Sequence, residues 1–416
     1  MTAGKSLASL AIWLWSVALL MAVAGRGAPY YANLATTRAV VAPQIPMPRY
    51  LEPVTDPAFR TSMTRVTDPG SEMITGMSCQ PAYCTHRYSS AQAWNADQSL
   101  LVIINGCDGF CFIDGQTYRP LFVRRVPNEC EWHPIIAAQM ICVSGTEIYV
   151  WEPKSDLKTT IYAPPDYTDF QFGPYKGNPS ADGTRLVVRA ANSAGAPVAF
   201  AYDIASRTKY PDIELATLPG THGHCTIAPT GRFIVCTQQT SEDSYVYTLE
   251  GKQIHHWAEP HRPGHGDLTL DSDGSDVYVG ISKTDPDKYH VIKRRLDNGK
   301  VTDLAPYGEV QHASMRNINR PDWVFLTYAG EYSEVATHPN WAPFYQEVVA
   351  LRIDGSGEIR RIVQTRNERY DYWSETHASP SPDGSQIIWS SNWGEAGGPV
   401  ADYVARLSWP ATGAVR

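Results

Sequence analysis

Seven of the chain's twelve histidines stand before the turns of a recurring hairpin: His86, His133, His222, His224, His265, His312 and His377. Imidazole changes charge near neutral pH and is the commonest nitrogen ligand for metal ions. Taken singly, each is explained as readily by a hydrogen bond to a neighbouring strand or loop. Taken together they are costly to desolvate as cations, so the set predicts a bound metal, an anionic ligand or acid–base chemistry. Polar companions adjoin them. Arg87 and Tyr88 follow His86, Arg316, Asn317 and Asn319 follow His312, and Glu375 precedes His377, where it could orient an imidazole. Arg87 or Arg316 could receive a carboxylate bidentately, or equally well tie neighbouring elements together. His222 and His224 face one side of an extended strand and Cys225 the other, which favours the histidines as site residues.

The elements that must position these side chains repeat at roughly 40 to 60 residues, the range of propeller blades. One hairpin in each unit turns at Ala96-Asp97, Asp182-Gly183, Thr230-Gly231, Asp273-Gly274, Pro321-Asp322 or Asp383-Gly384. A second carries alternating apolar residues at Phe110 to Ile113, Ile148 to Trp151, Val198 to Tyr202, Tyr245 to Leu249, Tyr289 to Arg295, Val348 to Ile353 and Tyr403 to Trp409. Seven such strands predict an all-β, seven-bladed β-propeller over residues 59–416. The strand before each polar turn runs nearest the axis, so the histidines of six units should meet at one mouth, with Tyr175 and Lys176 in the third unit's place. Few residues follow Trp409, so the last sheet needs a strand from elsewhere. Ser62 to Thr67 matches the outer strands, and the N-terminal segment is expected to close the ring and remove open sheet edges.

Residues 1–24 have one early lysine, an apolar run and a small-x-small end at Ala22-Val23-Ala24, the pattern of a removable signal peptide. The run is also about as long as a short membrane anchor. Residues 25–58 form an N-terminal extension. Eight cysteines fit an oxidising compartment, periplasmic or secreted. Cys225 and Cys236 fall opposite each other across a hairpin, and Cys130 and Cys142 repeat that spacing. Cys107 with Cys111, and Cys79 with Cys84, could close short loops or bind metal. A net charge of -8, scattered along the chain, argues against nucleic acid and against a polybasic membrane patch. No stable membrane span is expected once the signal is removed. No Gly-x-Ser-x-Gly elbow, phosphate-binding glycine loop or Cys-x-x-Cys pair occurs.

The Ser-Pro-Asp-Gly of Ser381 to Gly384 and its looser copies resemble the TolB-like, WD-type propeller repeat from about residue 60 onward. Exported propellers with a histidine-lined mouth are similar to polysaccharide lyases of the oligogalacturonate-lyase and ulvan-lyase kind. That resemblance implies β-elimination on a uronate-containing polysaccharide or oligosaccharide. It implies proton exchange by His86, Tyr88 or His133, with Arg316 neutralising the uronate carboxylate. A divalent cation (Zn, Mn or Ca) would be held by His222, His224, His265 and His312. Saccharide contacts would come from Arg87, Tyr175, Lys176, Asn317 and His377. Gln311 beside His312 only partly matches the histidine-plus-glutamine metal motif of the oligogalacturonate lyases. The competing class is a non-catalytic exported propeller that binds a glycan, a small ligand or an envelope protein at the same mouth.

Overall fold

A computed structural model describes residues 36–41, 43–125, 129–172, 177–217, 222–238, 242–308, 310–331 and 343–409. Apart from a 3-10 turn at Leu215–Thr217, its regular elements are strands. They make seven antiparallel sheets in chain order around an axis, a seven-bladed β-propeller, plus a small hairpin of Glu72–Ile74 and Met77–Ser78. Blade 1 is Leu100–Ile103, Phe110–Asp114 and Pro120–Arg124, with Trp94 bridging Leu101 on the inner side. The inner strands of blades 2 to 7 are Glu129–Trp132, Tyr167–Gln171, His222–Ile227, Pro263–Leu270, Val310–Ser314 and Ser379–Pro380. In blade 7, Ser62–Arg65 pairs with Val400–Arg406, Met63 opposite Ala405, and Pro53–Thr55 adds outside it.

Side-chain alternation explains how the sheets stack. Successive residues on a strand point to opposite faces, so Leu100 and Val102 join the apolar layer shared with blade 2. Leu101 and Ile103 join the layer shared with Ile388 and Val404 of blade 7. Each neighbouring pair of blades has its own buried layer, seven in all, and the last joins blade 7 to blade 1. Burying both faces of every sheet is the main stabilising term.

The inner turns of blades 3 and 7 share one chemistry. Ser381 Oγ donates to Asp383 Oδ1 at 3.0 Å, and the same oxygen accepts from Ser385 N at 2.8 Å. Ser180 and Thr184 repeat this around Asp182. Gly183 and Gly384 follow at φ +72° and +71°, where a side chain would be strained. Blade 2 lacks this turn and crosses instead through residues 133–139.

Four disulfides join Cys79–Cys84, Cys107–Cys111, Cys130–Cys142 and Cys225–Cys236. The last two link residues directly opposite across their hairpins. Such bridges belong to a chain that folds in an oxidising compartment, as an exported protein does. Among the described residues no helix is long and apolar enough to cross a membrane. The expected signal peptide lies outside the described residues.

Candidate functional site

The inner strands of blades 5 and 6 and the segment leading into blade 7 bring His265, His312, Glu375 and His377 to one mouth. Glu375 and His377 lie two apart in the irregular segment before Ser379–Pro380, and both side chains reach His312 or its neighbours. His312 Nε2 and His377 Nε2 each lie 3.2 Å from Glu375 Oε2. Ligand atoms from these three buried residues fall within 4.8 Å of one another, the one such group of three among the described residues. His312 Nδ1 meets the Tyr88 hydroxyl at 3.3 Å, and Glu375 Oε1 takes Arg369 Nη2 at 2.8 Å. His265 stacks on His312, ring centroids 5.4 Å apart and nearly parallel.

Burial holds the pKa of His312 down to about 3, helped by the neighbouring histidines against the pull of Glu375. Burial also lowers that of His377. Burial opposes the charge on Glu375, yet the two imidazoles beside it, His312 in hydrogen-bond contact, outweigh this and hold its carboxyl below the usual range. At neutral pH the site is therefore an ionised carboxylate between two neutral imidazoles. His377 Nε2, although near Glu375, is buried without a hydrogen bond of good geometry. His265 and His377 both have left-handed backbones, φ +48° and +44°, a strained conformation that persists where the surroundings over-determine it.

The remaining sequence-predicted residues are placed as follows. His86 is buried, with Nε2 donating to the His377 carbonyl at 2.7 Å and Nδ1 2.9 Å from Asp402 Oδ1. Burial disfavours its charge, but Asp402 more than compensates and raises its pKa. His86 thus ties blade 1 to blade 7. Arg87 pairs with Glu131 of blade 2. Tyr88 lies at the mouth, its ring 5.2 Å from that of His312 and 4.7 Å from that of His377.

His133 was expected at the same mouth. It follows the strand Glu129–Trp132 instead of preceding it, so it sits at the opposite end, its ring against Gly183. Its Nδ1 accepts from the backbone of Ile135 and Ile136. Arg316 likewise follows its strand, Val310–Ser314. Its fork is engaged by both Asp267 oxygens at 2.7 and 2.9 Å, leaving a structural pair where a carboxylate receptor was expected. Asn317 is fully buried and donates to the carbonyls of Arg320 and Trp323. His222 and His224 belong to the inner strand of blade 4, and His224 is not a member of the three-residue group. His265 adjoins that group without being a member. Tyr175 and Lys176 lie outside the described residues. Sequence reasoning gave Glu375 only an orienting role and passed over Arg369. The signal for Glu375 was its position two residues before His377.

Fold and site together define a propeller with a two-histidine, one-carboxylate cluster at one channel mouth. Two solved structures share the architecture. One, described as oligogalacturonate lyase in complex with manganese, superposes with a TM-score of 0.59 at 14% identity, covering 90% of this chain and 99% of that one. The other, oligogalacturonate lyase from Vibrio parahaemolyticus, gives 0.58 at 12%, covering 86% and 96%. At such identities the likeness is one of fold. No family model matches the chain, and no curated protein does.

Proposed function

We propose that this mouth is the active site of a polysaccharide lyase that cleaves uronate-containing glycans by β-elimination. The carrying observation is the convergence of His312, Glu375 and His377 on one point, with His377 Nε2 buried and unbonded. Two neutral imidazoles and a carboxylate suit a divalent cation and leave positions open for another ligand. The set favours Zn or Mn; Ca prefers an all-oxygen shell and fits poorly. His222, His224 and His265, first expected as ligands, are not needed for it. When bound, the cation supplies Lewis-acid neutralisation of the uronate carboxylate, which acidifies the C5 proton.

The chain's own residues do the rest. His265 Nδ1 lies 2.8 Å from the Gln311 carbonyl, which can only accept, so Nδ1 carries a proton; Nε2 lies 3.9 Å from Glu242 Oε1, a carboxylate that stabilises the imidazolium formed when Nε2 takes up a proton. His265 Nε2 is the base that takes the C5 proton. The electron pair forms the C4–C5 double bond as the C4–O bond breaks, and the departing oxygen takes up a proton from solvent water. Arg369, 56% exposed, offers a guanidinium to the substrate's carboxylates. Tyr88 positions His312. The four disulfides and an exported location suit a substrate met outside the cytoplasm.

The test is incubation of the purified protein with a panel of uronate polysaccharides, following the ultraviolet absorbance of the unsaturated product. Product from at least one polymer, abolished by chelator and reduced more than about 100-fold in Glu375→Gln, is expected, since even outer-shell changes cost 10–100-fold. No product from any polymer would leave a glycan- or partner-binding propeller.

A further inference from the structure

The segment that carries Glu375 also presents aromatic surface. Between the outer strand of blade 6, Ile359–Gln364, and the inner strand of blade 7, Tyr370 is 44% exposed and Trp373 39%. Trp94, Trp151, Trp257 and Trp389, by contrast, are fully buried between blades. Two exposed aromatic side chains thus stand on the one loop that also carries Glu375 and Arg369.

Trp373 is held rather than loose. Tyr83 lies parallel against it, centroids 4.6 Å apart at 5°, and Tyr372 meets it edge-on at 5.3 Å. Tyr83 is fixed by its pairing with Val400 and by Gly106, where a Cβ would fall 2.0 Å from the Tyr83 carbonyl. The loop is closed on itself by Ser374, whose Oγ accepts from the backbone of Tyr370 and Asp371 at 2.9 Å. With Tyr83 covering one face and Tyr372 one edge, the exposed surface of Trp373 is what remains of the indole. Tyr372 is also 5.3 Å from the His377 ring, so two ring-to-ring steps join Trp373 to the metal-ligand group. Arg369 contributes a cation from the same loop.

A flat apolar surface and, on the same loop, a half-exposed guanidinium that also pairs with Glu375 at 2.8 Å are complementary to a sugar ring that carries a carboxylate. The C–H face of the pyranose stacks on the indole, and the carboxylate meets the arginine. We propose that Trp373, backed by Tyr83, is a second sugar subsite, which holds a uronate residue displaced along the chain from the one at His312, Glu375 and His377. This rests on the reading of that group as the uronate site and extends it, because the protein then recognises an oligosaccharide in preference to a single sugar.

Calorimetric titration with the monomers and trimers of galacturonate, glucuronate and mannuronate tests it. At least one trimer should bind wild type about tenfold or more tighter than its monomer. Trp373→Ala should remove that advantage, weakening the trimer about tenfold while leaving the monomer within about twofold, and Trp373→Phe should fall between. Thermal midpoints check folding, and Trp373→Phe decides should Trp373→Ala unfold. Trimer binding unchanged in a folded variant, or no preference of wild type for a trimer, overturns the subsite and leaves the uronate site standing. No binding of any of these sugars by wild type overturns both.

Discussion

The channel's two mouths are built from opposite ends of the same inner strands, yet they hold different kinds of charge. At the start of the strands, Glu375, His312 and His377 converge, and one imidazole nitrogen is buried without a hydrogen bond. At the turn end, the channel is lined by Trp94, Trp132, Met315, Leu268 and a series of prolines such as Pro229 and Pro382. Its buried charges answer one another: Arg316 is locked bidentately to Asp267. A buried ion whose geometry is completed by protein is scaffold; ligand atoms that converge without completing one another are a site. The turn end is bound to the recurring Ser-x-Asp-Gly chemistry, whereas the strand starts are free to carry function.

Two substitutions set the mouths against each other, beginning with the larger effect. Arg316→Met should cost about 3–5 kcal/mol in denaturant unfolding, because Asp267 is left buried and unpaired, while the folded fraction keeps its cation content. Normal stability with lost activity would instead place chemistry at the turn end. Asp402→Asn should cost about 1–3 kcal/mol, through its bonds to His86. The His86 pKa is raised in the folded state. Its contribution is therefore fully present below the unfolded value near 6.5 and is lost as pH rises through the folded value. Unfolding measured across that window should show wild-type stability falling with pH and the variant flatter. Parallel curves would remove His86 from the interblade tie.

The fold was readable because its signals are local. Period-two strands such as Phe110–Asp114, Asp-Gly turns at residues 182–183 and 383–384, and cysteines opposed across hairpins, such as Cys225 and Cys236, need no knowledge of distant chain. The site was less legible, for two physical reasons. Blade 2 has no Asp-Gly turn to fix its register, so the side of the strand on which His133 falls could not be read, and it lies at the far end. The partners that decide each side chain's role also come from other blades. Asp267 captures Arg316, Asp402 holds His86, and Glu375 gathers His312, and no single-chain periodicity encodes those contacts.

Anomalous diffraction from crystals of the protein soaked in manganese measures the central claim directly. The account predicts one strong peak within bonding distance of His312 Nε2, His377 Nε2 and a Glu375 oxygen. A peak at His222 and His224 instead, or none at either place, would contradict it.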